Sequence, residues 1–149
     1  MPRDYPATVV EILDDSMTFL PATLRAVRAF KKSRPWTGTI DERKEKFRQL
    51  NRDLAVAYGV AEPELIFGDL DGSTSGASHY IPSAHRIVLV GRLSVVTCLH
   101  EIAHARGMGE HDACRWSVNL FRQVFPRQFA RLIQRGHTLV RPEDQPTQS

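Results

Sequence analysis

His100-Glu101-Ile102-Ala103-His104 is the segment whose residue types and spacing could do chemistry. Residues four apart stack on one face of an α-helix, so both imidazoles can aim at a single metal ion. Glu101 lies about one hundred degrees round such a helix from His100, which leans its carboxylate toward a water on that ion. This is the HExxH arrangement of a zinc site: the metal lowers the pKa of its water to about 7 and polarises a carbonyl. Glu101 would act as general base, taking the water's proton and passing it to the leaving amine of a cleaved protein or peptide substrate. With six His and eight Glu in 149 residues, the pattern arises by chance in roughly 1% of chains of this composition, before any demand that it fall on a helix.

The alternative is a helix that merely carries two surface histidines. What favours the metal is the frame around the motif. Ser94 is a good N-cap, Leu99, Ile102 and Ala103 give the helix an apolar back, and Gly107 can close it in a left-handed conformation. A helix of about Val95 to Arg106 is therefore expected.

A catalytic zinc takes three protein ligands and keeps one position for water. The turn Gly107-Met108-Gly109 is followed at once by Glu110, His111 and Asp112, and each of the three has metal-binding chemistry. Glu110 stands six residues after His104 with Gly107 between, the spacing that supplies the third ligand in the extended HExxHxxGxxH signature. His111 is the alternative by chemistry, and Asp112 remains open. The two that do not bind would sit at a helix N-terminus, where acids are favoured by the dipole.

Ser75-Gly76, Tyr80, Ile87-Val88-Leu89, the HExxH pentapeptide and Glu110-His111-Asp112-Ala113-Cys114-Arg115-Trp116-Ser117 together resemble the ImmA/IrrE-type compact zinc metallopeptidases. The resemblance covers residues 64 to 126. It implies a minimal gluzincin-like fold with a hairpin and an HExxH helix, with His100, His104 and Glu110 as zinc ligands and Glu101 as base. Asp112, Cys114 and Trp116 depart from the family's E-x-E-A-N-x-F-A pattern, and the segment between the two helices is short. SprT-like proteases are a second comparison, but their downstream histidine ligand has no clear match here.

Elements of two kinds must hold this site. Upstream, Leu20, Leu24, Val27 and Phe30 repeat at helical spacing until Pro35, predicting a helix over 17–33 with Pro21 in its first turn. Phe47, Leu50, Leu54 and Tyr58 predict a second over 41–58, capped by Gly59. The period then changes. Glu64 to Phe67 reads as a strand, Gly68 to Gly76 as a turn-rich loop, and Ala77–Ile81 with Ile87–Val90 as a hairpin joined around Pro82 and Ser83. Downstream, Ala113, Trp116, Leu120, Phe121 and Val124 share a face until Pro126, and a last short helix carries Phe129, Leu132 and Ile133 to Gly136. The expectation is an α+β zincin-like domain over 1–136 and a flexible polar tail over 137–149.

Composition fits one globular domain: 42% hydrophobic and 25% charged residues. No stretch approaches the ~18–20 apolar residues a membrane helix needs, and the first residues mix charge with only the short run Ala7–Val10, so neither export nor membrane insertion is expected. Cys98 and Cys114 are then reduced thiols of a cytoplasmic protein. The net charge of +3 is uneven: residues 25–52 hold ten Lys/Arg against three acids, a net +7, and the rest sums to −4. That window supports an alternative function, a zinc-stabilised nucleic-acid-binding or regulatory protein using the basic 25–52 region; its other explanation is a solvated helix face. Oligomeric state leaves no mark in the sequence.

Among the remaining residues, His79 and Tyr80 precede the HExxH helix and could donate to a tetrahedral oxyanion, or else form ordinary hairpin surface. His85 and His137 lack a partner pattern. Cys98 and Cys114 read as small buried hydrophobes, and Trp116 as packing behind the metal.

Overall fold

The computed structural model describes residues 12–68 and 78–134. The polar tail, Gly136, and the 68–76 loop beyond Gly68 lie outside them. Among the described residues the chain is α+β, with five α-helices and one three-stranded sheet, and no helix is long and apolar enough to cross a membrane.

Helix α1 (Pro21–Lys32) starts later than its periodicity predicts. Proline disfavours helical backbone in the residue before it. Leu20 is accordingly extended, with ψ 143°, and Pro21 takes the first helical position. Helix α2 (Ile40–Tyr58) opens on a capping box in which Thr39 Oγ1 accepts from the Glu42 amide and the Thr39 amide donates to Glu42 Oε1. Gly59, at φ 63°, closes it in the left-handed region. Phe30 and Phe47 meet edge to face at 5.1 Å and lock α1 onto α2.

Strand β1 (Glu64–Phe67) pairs in parallel with β3 (Arg86–Leu89), and β2 (His79–Ile81) pairs antiparallel with β3, giving the order β1-β3-β2. The β2–β3 connection is a single 3₁₀ turn, Pro82–Ala84, completed by His85 in a left-handed conformation. Tyr80 faces Ile87 across the pair, and Ile87 is fully buried, so Tyr80 lies on the core face of the sheet.

Helix α3 (Val95–Ala105) carries the HExxH segment and is buried on nearly every side. It packs against β3 and β2 and most extensively against α4 (Glu110–Val124). Ser94 Oγ accepts from the Thr97 amide at its start. At its end Gly107, at φ 95°, lets the chain reverse, and the Met108 amide reaches back to the Ala103 carbonyl. Helix α4 ends where Phe125 leaves helical geometry, and Pro126 opens α5 (Pro126–Gln134) as its first residue. Asn119, Arg115 and Arg122 of α4 hold residues 12–15 along its length: the Asn119 amide bridges Ile12 and Asp14, Arg115 pairs with Asp14 and Arg122 with Asp15.

Candidate metal centre

The α3 turn sets the two imidazoles 4.7 Å apart between centroids, with their Nε2 atoms 3.0 Å from each other. The reversal at Gly107 brings Glu110, the first residue of α4, over both rings. Its Oε1 lies 2.9 Å from His100 Nε2 and 2.7 Å from His104 Nε2. Three donor atoms thus stand within 3.0 Å of one another, and tetrahedral zinc, with bonds of about 2.0–2.2 Å, spaces its ligands about 3.3 Å apart. Two imidazoles and a carboxylate at this separation fit zinc in type and in placement. His111 is half-buried and Asp112 exposed on the next two positions of α4, each turned about a hundred degrees further round the helix.

The outer ring nitrogens are held from behind. His104 Nδ1 lies 2.9 Å from the Met108 carbonyl, which only accepts, so Nδ1 carries a proton and Nε2 is the atom that could face a metal. His100 Nδ1 lies 3.8 Å from Cys114 Sγ. The hydrogen bond to Glu110 raises the pKa of His104 above its ordinary value; partial burial works against this, and the Met108 carbonyl and the charges of Glu101 and Glu110 add to it. Zinc, if held there, would compete with a proton at His104 Nε2. Apparent zinc affinity should fall with pH, starting above the usual imidazole range. A raised native pKa also means that the His104–Glu110 pair stabilises the fold fully below the unfolded imidazole pKa, a contribution lost as pH rises through the raised value. Paired thermal melts check the sign: with chelator present this contribution lowers the melting temperature with rising pH across that window, and added zinc should stabilise increasingly over the same interval. A zinc effect independent of pH there would contradict it.

Glu101 is 0% exposed at the base of a cleft of about 560 Å³ lined also by His79, Tyr80, Pro82, His104 and Met108. Burial of Cys98, with the Glu101 charge adding to it, pushes its thiol up to about 12, so Cys98 is a neutral, inert side chain as its position suggested. Tyr80 is placed differently from a free oxyanion donor. Its hydroxyl is 2.7 Å from His85 Nδ1, and His85 Nε2 is 2.9 Å from the Ala61 carbonyl. The carbonyl accepts from Nε2–H, so Nδ1 accepts the Tyr80 proton and the phenol oxygen is left to accept from the cleft. His85, which lacks a partner pattern in the sequence, is bonded on both nitrogens. The signal was the return across Pro82-Ser83 that brings residues 80 and 85 together. Trp116 is buried against the edge of Tyr58, and the Arg106 guanidinium at the end of α3 lies over the Tyr58 ring, 3.3 Å from its centroid, and 5.3 Å from that of Trp116.

Cys114 is buried as expected, but it also touches the His100 ring, which its residue type did not suggest. The signal was spacing: Cys114 follows Glu110 by four residues and so shares its helix face. Donor atoms of His100, Glu110 and Cys114 lie within 4.8 Å of one another. The thiol meets Nδ1, however, and the two nitrogens of an imidazole point apart, so it does not share the position that both Nε2 atoms and Oε1 surround.

The basic window is partly drawn into the fold. Lys31 donates to the Val124 carbonyl, Arg43 to Pro35, and Lys46 to Arg34 and Thr37. Lys44 and Arg48 lie over the Phe67 ring, and Arg48 and Arg52 pair with Glu45 and Glu62. Arg25, Arg28 and Lys32 are exposed on α1.

No family model, curated protein or solved structure matches the chain in comparison.

Proposed function

We propose that the chain is a zinc metallopeptidase of the compact, gluzincin-like zincin type, with His100, His104 and Glu110 holding the metal and Glu101 as general base. The convergence of two Nε2 atoms and Oε1 within 3.0 Å, beside a buried carboxylate on an open cleft, carries this reading. Zinc bound there would supply Lewis acidity, polarising the substrate carbonyl and acidifying the attacking water. Glu101 takes that water's proton and returns it to the amine as the C–N bond breaks. Its burial keeps bulk water from competing for the proton. The sheet order makes β2 an edge strand on the cleft, where an extended peptide can pair with its main chain. Tyr80, held by His85, presents an acceptor there for a substrate N–H. The Met108 carbonyl and Gly107 fix His104 in the tautomer the ligand role needs. The reading also keeps the cytoplasmic setting expected of two reduced thiols.

The test is digestion of a mixed peptide library by the purified protein, read by mass spectrometry. Cleavage should stop when a chelator strips the metal and return with one equivalent of zinc. Cleavage that survives complete stripping would overturn the proposal.

A further inference from the structure

The two ligand histidines are supported in chemically different ways. His104 rests on a carbonyl, which can only accept, so Nδ1 keeps its proton whether Nε2 donates to Glu110 or gives its lone pair to a cation. His100 rests on a thiol, which both donates and accepts. Both partners of that second contact are buried, His100 at 4% and Cys114 at 2% exposure, so the back of the ring is served by protein groups.

We propose that Cys114 is the positioning residue of His100, its thiol holding the ring through Nδ1 in either of two proton arrangements. This rests on the zinc reading above. In the hydrogen-bonded arrangement, Glu110 Oε1 accepts from His100 Nε2–H, and Nδ1 accepts from the Cys114 S–H. When Nε2 serves a cation, the neutral ring must carry its proton on Nδ1. One proton then leaves Nε2 and one is taken up at Nδ1; the thiol keeps its hydrogen, rotates it away, and accepts through sulfur. No group changes its charge in the exchange and nothing is oxidised. A carbonyl in this place would lose its partner in the first arrangement, and a carboxylate would make the ring a more basic ligand. The thiol does neither, so it supports a site that loads and releases its metal. Helix α4 delivers both parts from one face, with the ligand Glu110 one turn before Cys114.

Zn²⁺ and Co²⁺ on the full chain test this, using Cys114→Val, which removes the hydrogen bonding of the thiol at the cost of about one extra methyl group, and Cys114→Asn, whose amide can both donate to and accept from Nδ1. Chelator competition should show zinc binding weakened about 10–100-fold in Cys114→Val and recovered in Cys114→Asn. The visible spectrum of the Co²⁺ protein should shift in Cys114→Val and recover in Cys114→Asn. Circular dichroism and melts establish that each variant is folded; should Cys114→Val fail, Cys114→Ser replaces it, its shorter side chain falling short of Nδ1. Folded variants with wild-type affinity and an unchanged spectrum would overturn the proposal and leave the zinc reading standing. A sulfur-to-cobalt charge-transfer band in the wild-type protein would overturn it by making Cys114 a ligand. Failure of the wild-type chain to bind either ion would overturn both.

Discussion

Glu101→Gln should lower peptide hydrolysis by about a thousandfold while bound zinc stays near one per chain, since a positioned general base is worth about 10²–10⁴ in rate. The substitution is nearly isosteric, which matters at a position wholly enclosed on α3. An amide fills the same space but has no basic oxygen of comparable strength, so it cannot take the proton. None of the three converging atoms, His100 Nε2, His104 Nε2 and Glu110 Oε1, is altered. Library digestion together with metal analysis on one preparation separates the two effects. Undiminished cleavage with zinc retained would remove Glu101 from the mechanism. Loss of zinc along with activity would instead make it a structural support of the site.

His104→Ala should abolish the stabilisation that zinc gives the native protein. At a thousand times its dissociation constant a ligand specific to the native state adds about 4 kcal/mol. In a chain of this size that corresponds to a rise in melting temperature of roughly 8–16 °C. The variant removes a ligand together with its bonds to Met108 and Glu110, leaving one imidazole and one carboxylate. Thermal melts with and without zinc, on wild type and variant, measure it. An undiminished shift in the variant would mean that the ion binds elsewhere.

The parts of the centre are legible in the sequence to different depths. The motif helix and the one after it are marked by a capping serine, a reversing glycine and a regular apolar stripe, all local signals that tertiary packing reinforces. The third donor could not be singled out from residue type, because Glu110, His111 and Asp112 all have suitable chemistry. Helix phase distinguishes them: α4 begins at Glu110, and each following residue turns away. The start of α1 differs from its periodicity because Pro21 constrains Leu20, an effect that apolar spacing does not contain. The parallel pairing of β1 with β3 had no local signature at all, since four-residue strands carry too little pattern to name a neighbour. The contacts of Cys114 with His100 and of Tyr80 with His85 are likewise tertiary: one depends on how α4 lies against α3, the other on a left-handed residue that few side chains adopt. The charge of residues 25–52 was plain, but a run of cations does not tell which of them will close loop carbonyls, as Arg43 and Lys46 do.

A crystal of the zinc-soaked protein, with the ion located by its anomalous scattering, tests the central claim most directly. One peak should lie between His100 Nε2, His104 Nε2 and a Glu110 oxygen, at about 2.0–2.2 Å from each, with a water as the fourth ligand within reach of Glu101. A fourth protein side chain closing the coordination sphere, or a peak away from these three residues, would contradict it.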